Sequence, residues 1–448
     1  MPQAVEIRIE QQTSAYEEQY SEQKLEVEKP PHASMLSCWT VLSKTTIGVG
    51  LLGLAAATSV CGWFLGLVLL ALSGISAMFT LHLINCLIVH MDKRHVSFYT
   101  VAERYAPYCR WIVDIAIAIK SLGVGTAYFQ VYGSQLATFV QHVVPGVEDK
   151  LSTFTLRALI ILLGFVLMVP ICFRKSIAKT AIINIFGILG IMYIVVISCV
   201  YADIDTNVTG GTSLAPTGSF MAIAAKIPIF IFTFTCHQNM FLVGGDMKDR
   251  NRRKLDTVAL LAELAGCCLF IPALVAPYVT YGSGVKSNFL ESMEKDPQLS
   301  GSVPILLGGL ALAIAEISAY PLQLFPCRKS TMVLVTRGRE ISVELEKKLR
   351  RILTGVILSV CTVISIFVSD LGVTLSIVGI VGSNTICFIM PSFLFCKVFD
   401  KQQCPGKWWA SAVVCAVSTV LLPVCLSAII YMTVTNKASV SHQAHADD

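Results

Sequence analysis

The sequence predicts an all-α polytopic membrane protein with about 11 transmembrane helices. Of its 448 residues, 54% are hydrophobic and only 14% are charged, and the mean hydropathy is +0.69. Soluble domains carry considerably more charge than this, so the composition places the chain among membrane proteins. In such a protein, the net charge of +5 reports on membrane topology rather than on nucleic-acid binding.

Apolar runs of about 20 residues mark the places where the chain can cross a bilayer as a helix. The runs lie at residues 36–59, 63–90, 111–140, 155–173, 180–201, 220–244, 257–281, 303–326, 352–371, 373–397 and 408–434. The third is long and the ninth and tenth are nearly continuous, so the total of eleven is an inference. Residues 1–35 form a polar tail that we expect to be disordered, residues 36–434 the transmembrane domain, and residues 435–448 a short second tail.

Basic residues in the predicted loops set the orientation of the chain. If the N-terminus is cytosolic, the cytosolic loops hold 23 lysines and arginines, whereas the opposite loops hold five, Arg157 among them. This asymmetry predicts a cytosolic N-terminus and a non-cytosolic C-terminus. The sequon at residues 207–209 falls in a polar loop on the non-cytosolic side, so Asn207 is the candidate glycosylation site.

The first span contains the stretch KTTIGVGLLGL, residues 44–54, in which a lysine and two threonines precede three glycines. Glycines in a membrane helix can be small contact residues for a neighbouring helix. Beside polar side chains, they can instead mark a break whose free backbone groups bind a carboxylate. Both interpretations are consistent with the glycines, and the neighbouring Lys44, Thr45 and Thr46 favour the second.

The sixth span carries a second irregular stretch, FTFTCHQNMF, residues 232–241. Its polar run is too long for a helix that faces lipid. His237, Gln238 and Asn239 can mark the cytosolic end of the span, which does not exclude a role in an inner gate. Spans one and six occupy equivalent positions in transporters built from two inverted five-helix repeats, where both helices are broken at the substrate.

A few ionisable residues lie inside predicted spans, where a charge is costly and indicates function or a structural ion pair. They include Lys44, Lys120, Lys226, Glu263 and Glu316. We see no nucleotide-binding, metal-ligating or catalytic motif, and we expect no cofactor and no metal site. The 16 cysteines lie mostly in apolar segments, which predicts free packing residues, with a Cys61–Cys199 disulfide as a weak alternative.

Several motifs that follow one another through residues 36–434 carry a family resemblance. They are KTTIGVGLLGL (44–54), SFYTVAERYAP (97–107), DIAIAIKSLGVGTAY (114–128), PIFIFTFTCHQNMF (228–241), SAYPLQLFPCRKS (318–330) and VGSNTICFIMPSFLF (381–395). Together they resemble the amino acid/auxin permease family, most closely its fungal vacuolar amino-acid transporters and more distantly the sodium-coupled neutral amino-acid transporters.

The resemblance implies a LeuT-like fold of the APC superfamily, with a five-plus-five inverted repeat, and amino-acid transport by alternating access. It places the unwound part of the first span at residues 46–52 and its counterpart at residues 232–236. The implied substrate-binding residues are Thr46, Gly48, Val49, Gly50, Leu51, Tyr128, Phe232, Thr233, Phe234, Thr235, Cys236 and Ser318. The candidates for coupling or gating are Lys44, Lys120, His237 and Glu316.

The coupling ion follows from one departure from the family pattern. Sodium-coupled relatives usually carry an asparagine where this chain has Lys44, and a lysine ammonium could occupy the space of a sodium ion. We therefore expect protons, rather than sodium, to be linked to transport. The resemblance to vacuolar transporters favours a vacuolar or lysosomal membrane over the plasma membrane. The partners are an amino-acid substrate and the bilayer, with no nucleic acid, and the protein is a monomer. The alternatives are sodium-coupled neutral amino-acid transport and amino-acid sensing in the same fold.

Overall fold

The computed structural model describes residues 33–91, 96–173, 181–202, 211–248, 250–339 and 341–444, and it is helical almost throughout. Asn207 and the loop bases at residues 93–94 and 174–179 lie outside the described residues. The helices are α1 (Met35–Thr46), α2 (Leu54–Met91), α3 (Phe98–Tyr105), α4 (Arg110–Val143), α5 (Thr153–Cys172), α6 (Ala181–Val200), α7 (Phe220–Thr233), α8 (His237–Asp246), α9 (Arg252–Tyr281), α10 (Phe289–Glu294), α11 (Val303–Thr336), α12 (Val343–Phe367), α13 (Leu371–Ile377), α14 (Met390–Val398) and α15 (Pro405–Ala444).

Within the described ranges the helices make eleven passes, as the hydropathy predicts. Nine stretches are long and apolar enough to cross a membrane, and a shorter apolar helix, Gly187–Val200, adds another pass. The longest stretch, Met35–Met91, contains two passes because the chain reverses at Gly62, whose φ is +74°. The reversal brings Thr58 against Gly66, a contact that a continuous helix could not make at this spacing.

Polar N-caps begin many of the passes. The side chains of Ser34, Ser152, Ser219, Asn251 and Ser342 each accept a hydrogen bond from a backbone N–H in the first turn of the following helix. Such caps pair amide groups that no helical carbonyl can reach. They fix where each pass begins, although the apolar composition alone leaves these ends undefined.

Two passes are broken near their centres. In the first pass, α1 ends at Thr46, Ile47 and Gly48 are extended, and a 3-10 turn, Val49–Gly53, leads into α2. In the sixth pass, α7 ends at Thr233 and α8 begins at His237. His237 is fully buried and ten residues of helix start at it, so it does not mark the end of the sixth span.

The two breaks lie directly against each other. A Cβ atom on Gly50 would lie 2.9 Å from Cδ1 of the Phe232 ring and 3.3 Å from the Cα of Thr233. Only glycine lets the backbone of the first pass approach the sixth this closely. The glycine therefore has a packing role as well as a role in the break, and the two interpretations from the sequence do not exclude each other.

Helix α4 lies at the centre of the bundle and packs against α5, α11 and α12. It also contacts two π-helical turns, Val378–Ser383 and Thr385–Ile389, which connect α13 to α14 in the tenth pass. π-helical turns open the regular hydrogen-bond ladder and occur frequently at functional sites. This arrangement places one face of α4 against the broken passes.

Arg157 was assigned incorrectly when lysines and arginines in the predicted loops were counted. It was counted with the loop bases although it falls at the start of the run 155–173, and the structure places it in the first turns of α5, where it is buried. Its guanidinium donates hydrogen bonds to the carbonyl oxygens of Ser365 at 2.6 Å and Ile366 at 3.2 Å, at the end of α12. An arginine here neutralises the unpaired carbonyl groups of a helix C-terminus. The sulfur atoms of Cys61 and Cys199 are both free, so the alternative disulfide is absent.

Candidate substrate-binding site

Two small cavities lie side by side at the break in the first pass, and both are lined by Gly48 and Tyr128. The cavity that we call the Lys44 cavity is lined by Lys44, Ile47, Gly48, Tyr128, Gly187, Ile188, Ile191, Ala315, Glu316 and Ala319. The cavity that we call the Lys120 cavity is lined by Thr45, Thr46, Gly48, Val49, Gly50, Lys120, Val124, Tyr128, Phe232, Thr233, Thr235 and Gln323.

The backbone at the breaks presents unpaired groups of both polarities to the cavities. The 3-10 turn that starts at Val49 begins beside the cavities, and the first N–H groups of a helix have no partner within it. These groups favour a carboxylate, whereas the carbonyl ends of α1 and α7 favour an ammonium group. An added Cβ on Gly48 would meet no atom within 4 Å, so this backbone is open to a ligand.

Threonine side chains keep the broken ends of α1 and α7 satisfied. Thr46 and Thr233 donate their hydroxyl protons to carbonyl oxygens four residues earlier, Leu42 at 3.1 Å and Ile229 at 2.8 Å. Thr45 makes the same kind of bond and also accepts a hydrogen bond from Asn239 Nδ2 at 2.7 Å. The bond from Asn239 links α1 to α8. It therefore ties the N-terminal half of the first pass to the C-terminal half of the sixth.

Lys44 and Glu316 line the same cavity from α1 and α11. Glu316 is 3% exposed. Lys44 Nζ is buried and has no hydrogen-bond partner among the described residues. The ion pairs found within 4 Å in those residues do not include Lys44, so its closest carboxylate interaction is a longer-range attraction to Glu316. Both side chains therefore border one cavity without forming an ion pair within 4 Å.

Tyr128 of α4 lines both cavities, and Gln323 of α11 lines the Lys120 cavity beside it. The Gln323 amide donates to the Tyr128 hydroxyl oxygen at 3.4 Å, a long hydrogen bond. Gln323 lies in the motif SAYPLQLFP, but sequence reasoning did not single it out. It also missed the contribution of Gly187, Ile188 and Ile191, because these residues of α6 carry no polar signal.

Several predicted site residues lie near the breaks but do not line either cavity. Leu51 is fully buried in the core, and Phe234 packs edge-on against Phe270. Cys236 donates its thiol proton to Glu263 at 3.4 Å, and Ser318 donates to the carbonyl oxygen of Ala315 at 2.9 Å. These four positions support the walls of the site.

His237 also lies outside both cavities. Its Nε2 atom lies 2.9 Å from the Thr80 hydroxyl oxygen and 3.2 Å from the carbonyl oxygen of Ala77. The ring therefore joins the start of α8 to α2. The structure brings together eight of the predicted binding residues in one cavity: Thr46, Gly48, Val49, Gly50, Tyr128, Phe232, Thr233 and Thr235.

Comparison with known protein families identifies the family of the chain. A family model described as "Transmembrane amino acid transporter protein" matches residues 31–434, which is most of the chain. The chain belongs to this family. The members of this family are transporters and not enzymes. The eleven-pass helical bundle is the membrane fold of this chain.

Individual members of the family that resemble this chain are transporters of two named kinds. The chain is 24% identical to vacuolar amino acid transporter 5 of Schizosaccharomyces pombe, with 82% of this chain and 85% of the relative covered. It is 25% identical to vacuolar amino acid transporter 5 of Saccharomyces cerevisiae, over 81% and 88%. It is also 23% identical to sodium-coupled neutral amino acid transporter 7 of Xenopus laevis, over 67% of each chain.

Proposed function

We propose that this family member is a proton-linked secondary transporter, which moves amino acids by alternating access. The observation that carries the proposal is the pair of broken passes that meet beside two cavities at Gly48. Free helix ends of opposite polarity match the carboxylate and ammonium of an amino acid. Thr46, Gly48, Val49 and Gly50 would hold the substrate backbone, and Tyr128 and Phe232 would enclose its side chain.

Lys44 and Glu316 would link substrate movement to protons. A fixed ammonium in the Lys44 cavity supplies the positive charge that a bound sodium ion would otherwise supply, so sodium is not required there. Glu316 is a carboxylate that can take up and release a proton as the cavity opens to either side. The alternative is sodium coupling, which the resemblance to the Xenopus laevis sodium-coupled transporter supports.

The names of the yeast relatives support placement in a vacuolar or lysosomal membrane. With the N-terminus in the cytosol, the loops rich in lysine and arginine would also lie in the cytosol. The lumen of such an organelle is acidic, and a proton gradient across its membrane would drive transport. Because one chain contains both broken passes and both cavities, a monomer would be the transport unit.

Purified protein in liposomes provides the test of this function. Counterflow of each of the twenty amino acids is measured with an imposed pH gradient and with an imposed sodium gradient, separately. We expect a subset of amino acids to be exchanged, with uptake that responds to pH and persists without sodium. Uptake that requires sodium and ignores the pH gradient would contradict proton coupling. Specific binding of amino acids without flux in the purified protein would support a sensor instead.

The Lys44→Ala variant tests the coupling role within the same assay. We expect flux per folded molecule to fall at least roughly tenfold, which corresponds to a barrier increase of about 1.4 kcal/mol. Lys226→Ala is the control, because Lys226 lies in α7 and lines neither cavity. If flux per folded Lys44→Ala molecule equals that of the control, Lys44 has a structural role only.

A further inference from the structure

Lys120 of α4 is a buried cation without an anionic partner. Its side chain lines the Lys120 cavity and is 3% exposed. Among the residues that the structure describes, Lys120 forms none of the ion pairs found within 4 Å, and no carboxylate lines its cavity. A buried ammonium is costly unless an anion compensates its charge. Since no described wall of the cavity carries such an anion, a bound ligand is a candidate source of it.

The remaining described walls of the Lys120 cavity are uncharged. They are formed by hydroxyl, amide, aromatic and aliphatic groups together with backbone. The buried Glu263 does not line this cavity, and it accepts the thiol proton of Cys236. Glu316 lines the other cavity, together with Lys44. One cavity thus contains a cation and an anion, whereas the Lys120 cavity contains a cation only.

We propose that Lys120 determines substrate specificity, and that it makes the transporter favour amino acids with an anionic side chain. The inference rests on the proposed amino-acid transport. If the N–H groups at Val49 and Gly50 hold the α-carboxylate, a side-chain carboxylate is free to reach the ammonium of Lys120 in the same cavity. A cationic side chain would instead be placed beside a like charge in a poorly hydrated space, which is a strong basis for rejection.

Pairs of amino acids of nearly equal size separate the effect of side-chain charge from the effect of side-chain size. Aspartate and asparagine have nearly the same shape, as do glutamate and glutamine, so each pair differs mainly in side-chain charge. In liposomes, we expect the wild-type protein to exchange the acid of each pair better than the amide, and to exchange lysine and arginine least. The Lys120→Met variant should lose the preference for the acid by roughly tenfold to a hundredfold while keeping amide transport.

Two further variants control for folding and for lysine as such. Lys120→Arg retains the charge and should retain the preference for acids. Lys226→Met removes a lysine from α7, away from both cavities, and should leave the preference unchanged. If Lys120→Met does not fold, the wild-type protein still tests the inference through thermal unfolding with added ligands. Aspartate should then raise the unfolding temperature more than asparagine, and lysine should not raise it.

The possible outcomes separate this inference from the function on which it depends. Equal loss of acids and amides in Lys120→Met would assign Lys120 to the α-carboxylate that all amino acids share, and would overturn the specificity role. Wild-type transport of lysine or arginine as fast as that of aspartate would overturn it as well. If no amino acid is exchanged by the wild-type protein and none stabilises it, the proposed transport itself fails.

Discussion

At the scale of single residues, three lysines in membrane passes show how differently the fold treats the same side chain. Lys44 lies in a cavity with Glu316, and Lys120 lines a cavity without a carboxylate among its described walls. Lys226 lines neither cavity and is partly exposed on α7. The sequence identifies each as an intramembrane charge but cannot distinguish their environments, because that distinction depends on which passes are neighbours. The lysine environments therefore determine which variants test function and which serve as controls.

A residue-scale prediction concerns Glu294, the last residue of α10 and outside the membrane passes. Burial, reinforced by the charge of Glu291, raises the pKa of its carboxyl to about 8 from an ordinary value of 4.5. The folded protein therefore keeps this proton up to about pH 8, whereas the unfolded chain releases it near pH 4.5. The resulting stabilisation is complete below pH 4.5 and is lost as the pH rises towards 8.

The Glu294→Gln variant should remove this pH dependence. Glutamine keeps the shape of the protonated acid, so we expect its unfolding temperature to match the wild type at low pH and to exceed it by about 5 °C above pH 8. Thermal unfolding of the purified protein in detergent, measured from pH 4 to pH 9, provides the comparison. Glu148→Gln, at an exposed acid, should follow the wild-type curve. A Glu294→Gln curve parallel to the wild type would show that this carboxyl does not titrate in that window.

At the scale of elements, the broken passes could be largely anticipated, whereas the walls around them could not. Glycines beside threonines predict a break in the first span, because glycine weakens a helix and threonine hydroxyls can pair with the backbone carbonyl groups that a break leaves free. The observed break at Ile47 and Gly48 lies inside that stretch. Arg157 was assigned incorrectly because a base that caps another helix and a base in a loop look alike in a linear sequence.

The contact between the two breaks supplies a prediction at the same scale. Gly50→Ala places a Cβ atom 2.9 Å from the Phe232 ring, so the ring or the two passes must shift. We expect flux per folded molecule to fall roughly tenfold, because the geometry of the substrate-binding backbone changes. Counterflow in liposomes measures the change, normalised to folded protein by size-exclusion chromatography.

A second glycine offers a matched control for helix propensity. Gly355 lies inside α12, and a Cβ atom there would meet nothing within 4 Å. Gly355→Ala should leave flux unchanged and stabilise the helix by up to about 1 kcal/mol. Adding Phe232→Leu to Gly50→Ala should restore part of the lost flux, since it removes the ring that the new methyl group meets. Equal flux from Gly50→Ala and Gly355→Ala would show that close approach of the two passes is not needed.

At the scale of the whole molecule, the distribution of basic residues defines one face of the membrane domain. The burial of Arg157 in α5 sharpens this distribution, because it removes one base from the loops that carry few. On the basic face, Ala33 N donates to the carbonyl oxygen of Asp246 at 3.0 Å, and Lys248 N donates to that of Ala33 at 3.1 Å. These bonds tie the start of the first pass to the end of the sixth on that face.

The orientation of the chain in the membrane can be tested by glycosylation. Positive charge is retained on the cytosolic side during insertion, so we expect the N-terminus to be cytosolic and Asn207 to be luminal. Asn207 should therefore carry an N-linked glycan, which endoglycosidase treatment removes with a visible fall in mass. Asn207→Gln and Thr209→Ala should each abolish that shift, since both destroy the sequon. A new sequon in the N-terminal tail should remain unmodified. A glycan on the tail sequon together with an unmodified Asn207 would show the opposite orientation. The basic face, where Ala33 bonds to Asp246, would then lie towards the lumen.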